Sequence, residues 1–136
     1  VSEDPSDLSE HPRREVILCI DDEPNLLAIR TLVLEGVGYR VIGASDGSTG
    51  LELFRKNRVD MVILDHFLPG MSGVEVIAEM KILHPDVPII LTTGLFEPPE
   101  GAEHADLFLT KGTPTQEFVA KVKHLMRSKQ ERRSIA

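Results

Sequence analysis

Met61-Val62-Ile63-Leu64-Asp65 is an apolar, β-type run that ends in a carboxylate, and Leu68-Pro69-Gly70-Met71-Ser72-Gly73 breaks the chain soon after it. Upstream, Val16-Ile17-Leu18-Cys19-Ile20 ends the same way, in Asp21-Asp22. Short continuous apolar runs suit strands covered on both faces. Two such strands can bring Asp21, Asp22 and Asp65 to one edge of a sheet. Like charges crowded together disfavour one another's ionisation, so the cluster calls for a cation or a protonated member. Such an arrangement is costly for a fold and useful for chemistry.

Outward from these runs, strand and helix signals alternate. Glu15 to Ile20 is the first strand, and Pro24 suits the first turn of a helix. Leu26, Ile29, Val33 and Val37 follow at helical spacing as its apolar face, and Gly36 and Gly38 end it. Tyr39 to Ala44 reads as strand two, and Asp46 as the cap of a helix whose apolar face includes Leu51 and Phe54. Val59 to Leu64 is strand three. Ser72-Gly73-Val74-Glu75 has the form of a capping box, with Val76, Ile77, Met80 and Leu83 as the helix face behind it. Pro88 to Thr92 is strand four.

Leu95 to Glu103 contains Pro98-Pro99, and a proline inside a helix costs ~3 kcal/mol, so a short or irregular helix is expected there. Asp106 to Leu109 is strand five. Thr113-Pro114-Thr115-Gln116 reads as a second capping box with proline at the first helical position, before a stripe of Phe118, Val122, Leu125 and Met126. From Ser128 the chain turns polar and is expected to fray.

Apolar strands separated by amphipathic helices specify an α/β fold, a doubly wound five-stranded parallel sheet covered on both faces. Ligands of such sheets bind beyond the carboxyl ends of the strands. Asp21, Asp22, Asp65 and Thr93 all lie at such ends. A length of 136 residues suits one domain. We delimit it to residues 15–127, after a flexible leader at 1–14 and before a polar tail or linker at 128–136. The first residue is not Met, which suits a processed product or an excised piece.

Composition narrows the function. The apolar fraction of 41% and charged fraction of 27% are those of a soluble globular protein. No apolar run reaches a membrane span and the polar N-terminus does not read as a signal peptide. Cys19 is the single cysteine, so no internal disulfide forms, which fits a reducing, cytoplasmic setting. Net charge is −7; the stretch from Lys121 on has six basic residues against Glu131, or +5, which leaves −12 for the rest. A body that acidic offers no basic face to nucleic acid.

Four segments together carry a family resemblance: Cys19-Ile20-Asp21-Asp22-Glu23-Pro24, Ile63 to Gly73, Pro88-Ile89-Ile90-Leu91-Thr92-Thr93-Gly94, and Ala105-Asp106-Leu107-Phe108-Leu109-Thr110-Lys111. Across roughly Glu15 to Arg127 the chain resembles the receiver domain of two-component response regulators, a bacterial phosphorelay family. The resemblance implies the flavodoxin-like strand order 2-1-3-4-5. It also implies that Asp65 is the phosphoacceptor, taking a phosphoryl group from a histidine kinase or a histidine phosphotransfer protein. Asp21, Asp22, Asp65 and the backbone carbonyl of Phe67 correspond to the family's ligands for Mg2+ (or Mn2+), a hard cation that prefers oxygen. Thr93 and Lys111 correspond to the hydroxyl and ammonium that meet the phosphoryl oxygens, and Phe108 to the aromatic switch residue. Thr92 competes with Thr93, which follows Pro88 at the family's interval and precedes a small residue.

Each position also has a plainer reading: a turn-starting aspartate for Asp65, a helix cap for one of the acidic pair, a β-favouring threonine, a surface lysine, a core phenylalanine. Three departures from the family pattern stand out. Gly112 replaces the usual proline after Lys111, so a trans bond is expected. The proline-broken interval reduces a helix through which many receivers dimerise or bind outputs, so homodimer geometry is not carried over. Phe67 occupies the position two after the nucleophile, where an apolar ring is expected to shield an aspartyl phosphate from water.

The reading is a signalling switch with no enzymatic turnover of a separate product, an unknown output partner, no direct nucleic-acid binding and no membrane insertion. Its rivals are a degenerate receiver that binds partners constitutively and an aspartate-nucleophile phosphohydrolase of the haloacid dehalogenase type. The latter needs a second aspartate two residues on, where this chain has Phe67. A stand-alone receiver, a piece of a longer regulator and the terminal receiver of a hybrid kinase all fit the polar ends.

Overall fold

The computed structural model describes residues 13–135; the leader expected at 1–14 lies, up to Pro12, outside them. The elements run β1 (Val16–Ile20), α1 (Pro24–Gly36), β2 (Arg40–Ala44), α2 (Gly47–Lys56), β3 (Met61–Asp65), α3 (Gly73–Leu83), β4 (Ile89–Thr93), a 3-10 turn (Ala102–His104), β5 (Leu107–Thr110) and α4 (Thr115–Ile135). The strands form one parallel sheet in the order β2-β1-β3-β4-β5. The chain thus winds one way from β1 to β2 and the other way from β3 on. That reversal leaves a crevice between β1 and β3, where the pairing Ile20↔Leu64 sets Asp21 beside Asp65.

Side-chain alternation along each strand makes two cores. Leu18, Ile20, Val62, Leu64 and Leu91 pack with Leu51, Phe54, Val76, Ile77 and Met80 on one face. Ile17, Cys19, Met61, Ile63 and Ile90 pack with Leu34, Phe118, Val122 and Met126 on the other. Each such side chain, fully removed from water, contributes on the order of 2 kcal/mol. Burial pushes the Cys19 thiol up to about 12, so it is an inert core residue.

Caps follow the sequence closely at two helices. The Asp46 side chain accepts from the Thr49 N–H, and Ser72 and Glu75 form the expected reciprocal box. The double proline also has the expected effect: the β4–β5 connection contains only the 3-10 turn, entered through Gly101 at φ 91°.

Three expectations fail. On α1 the apolar spacing predicts a face of Leu26, Ile29, Val33 and Val37, but Ile29 and Val37 are exposed; the buried residues are Arg30 and Leu34, with Leu27 packed beside them. Apolarity alone misphased the helix because one inward position is an arginine paired with Asp21. Leu83 of α3 is likewise exposed, beyond the buried Val76, Ile77 and Met80. The fraying from Ser128 is absent: α4 continues to Ile135, and Lys129 is buried against Asp60. At the start of α4 the helix begins at Thr115, one residue after Pro114, and the Thr113 hydroxyl donates to the Thr110 carbonyl.

Candidate functional site

The carboxyl ends of β1, β3 and β5 converge on one acidic cluster. Asp21, Asp22 and Asp65 each offer a carboxylate oxygen within 4.8 Å of the others. Asp21 is buried and Asp22 exposed. Asp21 Oδ1 accepts the Glu23 N–H at 2.9 Å, a local turn ahead of α1. Its Oδ2 faces Arg30 Nη1 at 3.5 Å and Lys111 Nζ at 3.6 Å. Neither member of the pair caps α1, whose N-cap residue is Glu23 with no side-chain cap bond, and Asp21 keeps a second oxygen for the cluster.

Asp65, the last residue of β3, is 2% exposed. Its Oδ2 lies 3.1 Å from Lys111 Nζ. Its Oδ1 has no partner; with His66 Nδ1 it is one of two such buried side-chain polar atoms among the described residues. A buried, uncommitted carboxylate oxygen is expensive unless a ligand uses it. Burial raises the Asp65 carboxyl above its ordinary range, Lys111 pulls it back and Asp21 pushes it up again. Lys111 shows the converse. Burial lowers it, but the hydrogen bond and charge of Asp65, with Asp21 and Glu23, outweigh that and hold the ammonium above its usual value.

Close packing fixes where Asp65 sits. The Gly73 N–H donates to the His66 carbonyl at 2.7 Å, and a Cβ on Gly73 would lie 2.6 Å from the Asp65 carbonyl oxygen. Lys111 is held from the backbone, its N–H donating to the Thr93 carbonyl at 2.8 Å. No cis peptide occurs among the described residues, so Lys111–Gly112 is trans as expected, and the ammonium still reaches Asp65.

The two threonines separate. The Thr92 hydroxyl donates to the Leu64 carbonyl at 3.3 Å, whereas the fully buried Thr93 hydroxyl accepts the Leu95 N–H and keeps its own proton to give. Phe108 is half-buried against the core that contains Leu64 and Leu91, and Phe67 is exposed with its ring edge-on to His66. The oxygen set, one member exposed and one oxygen unpartnered, fits a hard divalent cation.

Sequence reading missed Arg30 at this site and Asp60 with Lys129 at the opposite edge. A broad groove at that edge is lined by Phe54, Arg58, Asp60, His84, Asp106 and Lys129. Shape and chemistry thus point to different edges of the sheet. Chemistry decides, because none of the buried side-chain polar atoms in the groove lacks a partner.

The fold and the acidic cluster define a class of signalling domain, and comparison with known proteins agrees. The model of the response regulator receiver domain family matches residues 17–123. The chain belongs to that family. The DNA-binding response regulator MtrA of Mycolicibacterium smegmatis is 36% identical over 124 residues, covering 87% of this chain and 53% of MtrA. The chain spans about half the length of the curated relatives it matches. A CheY-like receiver domain protein from Methanospirillum hungatei has a TM-score of 0.83 at 24% identity, over 88% of this chain and 99% of that one, a likeness of fold. The response regulator TrrA of Thermotoga maritima, solved in complex with Mg2+-BeF, is 34% identical with a TM-score of 0.77, over 82% of this chain and 98% of TrrA. TrrA has also been solved in complex with the histidine kinase ThkA. No helix among the described residues is long and apolar enough to cross a membrane.

Proposed function

We propose that Asp65 accepts a phosphoryl group from a phosphohistidine donor and that the domain acts as a phosphorylation-dependent switch in the cytoplasm. The carrying observation is the unpartnered oxygen of buried Asp65 beside Lys111 and two further carboxylates. An Asp65 oxygen attacks phosphorus, the P–N bond to the donor imidazole breaks, and its electron pair leaves with the imidazole, which takes up a proton. The likeness to TrrA, which is found with a histidine kinase, supports a kinase or a phosphotransfer protein as donor.

Asp21, Asp22 and Asp65, with the Phe67 carbonyl, are the residues that would hold Mg2+ or Mn2+. When bound, such a cation neutralises charge on the carboxylates and on the transferring phosphoryl group. Lys111 is released from Asp65 towards the phosphoryl oxygens as a point charge, and the Thr93 hydroxyl donates to another. Phe108 follows Thr93 inward, which shifts a pre-existing equilibrium between two states. Going from 1:99 to 99:1 takes ~5.5 kcal/mol of differential binding, a scale that several charge-assisted contacts can supply. The output partner lies outside this domain. The domain catalyses its own phosphorylation and dephosphorylation and turns over no separate product.

The test is incubation with acetyl phosphate, or with beryllofluoride, in the presence of Mg2+, followed by intact-mass or NMR detection at Asp65. Stoichiometric modification that Asp65→Asn abolishes is the expected result. A folded protein that takes up no phosphoryl group would instead be a constitutive binding module, and steady release of phosphate from a phosphomonoester would make it a hydrolase.

A further inference from the structure

Behind the acidic cluster lies a charge that packing alone does not explain. Arg30 is one of two buried residues on α1, the other being Leu34. It is 7% exposed. Its Nη1 lies 3.5 Å from Asp21 Oδ2, the oxygen that also faces Lys111 Nζ at 3.6 Å. Its Cζ stands 5.6 Å from the centre of the Phe118 ring on α4. A guanidinium taken out of water is costly unless a carboxylate meets it, so a helix selected only for packing would carry leucine here. A single contact at 3.5 Å is a long ion pair and no bidentate clamp, so it leaves Asp21 partly available.

We propose that Arg30 is a built-in counter-cation that holds Asp21 from inside the domain and so weakens the cluster's affinity for a divalent cation. This rests on the reading of the cluster as a cation-assisted phosphoacceptor site. Three carboxylates within 4.8 Å, with Glu23 3.8 Å from Lys111 beside them, are met by two cations, Lys111 at the end of β5 and Arg30 on α1, which leaves the cluster net negative. The cluster is therefore tolerable before a divalent cation arrives, and that cation competes with the guanidinium for Asp21. Arg30 acts through Asp21 and is a positioning residue. Phe118 supplies the other face of its seat, where the ring attracts the guanidinium and fixes its orientation.

The experiment measures Mn2+ binding by the EPR signal of the free ion, with no phosphodonor present, in the parent, Arg30→Met and Arg30→Lys. Methionine keeps a flexible apolar contact with the Phe118 ring and removes the charge; lysine keeps the charge. Arg30→Met should bind Mn2+ about tenfold more tightly, the scale of one unit charge near a divalent cation under water-like screening. Its melting temperature should also rise more than the parent's at a fixed Mn2+ concentration. Arg30→Lys should stay near the parent.

Equal affinity in Arg30→Met and the parent overturns the proposal, as does equal tightening by methionine and lysine. Should Arg30→Met not fold, Arg30→Gln supplies the neutral side chain for the same comparison. A parent that binds no Mn2+ and takes up no phosphoryl group overturns the premise and the proposal together. A parent that does both, with variants that bind alike, leaves the premise standing and removes the role of Arg30.

Discussion

Asp60 precedes β3 and Asp65 ends it, and both are buried, at 5% and 2% exposure, yet the fold treats them in opposite ways. At the amino edge Asp60 is saturated. Its Oδ2 accepts the Val16 N–H at 2.8 Å and faces Arg58 Nη1 at 3.0 Å, and its Oδ1 meets Lys129 Nζ at 3.2 Å. At the carboxyl edge Asp65 shares Lys111 with Asp21 and Glu23 and leaves Oδ1 with no partner. Two aspartates at opposite ends of one strand thus differ in whether their lone pairs are filled from within the chain. A structural carboxylate is one the fold completes; a reactive one is left for a ligand to complete.

Removing each carboxylate should therefore produce opposite losses, and the largest effect belongs to Asp65. Asp65→Asn should abolish phosphoryl uptake from acetyl phosphate while its melting temperature, without divalent cation, stays at or above the parent's. The sign follows from burial, which holds the Asp65 carboxyl above its ordinary range, so its charged form weakens the fold near neutral pH. A variant that melts well below the parent would make Asp65 a structural residue like Asp60.

Asp60→Ala is the mirror image. It strands buried Lys129, which also bonds the Asp60 carbonyl at 3.1 Å, and leaves the Val16 N–H unmet. The expected loss is about 3 kcal/mol by denaturant titration, the scale of breaking a buried pair from one side. Phosphoryl uptake by the folded fraction should match the parent's. A loss below about 1 kcal/mol would show that the pair is no more than a surface ion pair.

The two edges also differ in how far the sequence reveals them. Asp65 was legible because an apolar run followed by a carboxylate and a proline-glycine break is a local pattern, and Asp21-Asp22 repeats it. Strand order and the failed helix around Pro98-Pro99 came from local signals or from family likeness. The amino-edge pair is not legible, because Asp60 and Lys129 are 69 residues apart, Asp60 at the head of an apolar run and Lys129 in a polar stretch. Without that contact the end of α4 looked like a fraying tail. Arg30 failed for a related reason: an apolar-periodicity rule cannot score a charge as inward-facing until its partner, nine residues back, is known to lie beneath it.

A smaller effect tests how rigidly the reactive end is held. In Gly73→Ala the new Cβ would stand 2.6 Å from the Asp65 carbonyl oxygen and 2.7 Å from His66 Cα, both backbone atoms that cannot swing away. Overpacking of this kind costs roughly 1–3 kcal/mol, and it should slow phosphoryl uptake because β3 must shift at Asp65. Gly36→Ala, at the end of α1 with nothing within 4 Å, should leave uptake unchanged. Equal effects of the two on uptake would mean that Asp65 is not positioned by this contact. Phe67→Asn probes the same loop: hydrolysis of the aspartyl phosphate should become several-fold faster when a polar side chain replaces the exposed ring, and an unchanged lifetime would remove Phe67 as a shield.

The smallest effect concerns a carboxylate outside both buried classes. Glu75 is exposed, yet its Oε1 accepts the Ser72 N–H at 2.9 Å while the Ser72 hydroxyl accepts the Glu75 N–H at 3.2 Å. That backbone bond holds the Glu75 carboxyl below its ordinary range. A folded value below the unfolded one means that the charged form stabilises the fold above the unfolded value, and that this contribution is lost as pH falls through the folded value. Glu75→Gln keeps an acceptor oxygen and cannot titrate. The stability advantage of the parent over Glu75→Gln should thus be present at pH 7 and shrink between about pH 5 and pH 3. A gap that stays constant across that range would mean that the cap acts through geometry alone, and the contrast among carboxylates would then reduce to burial.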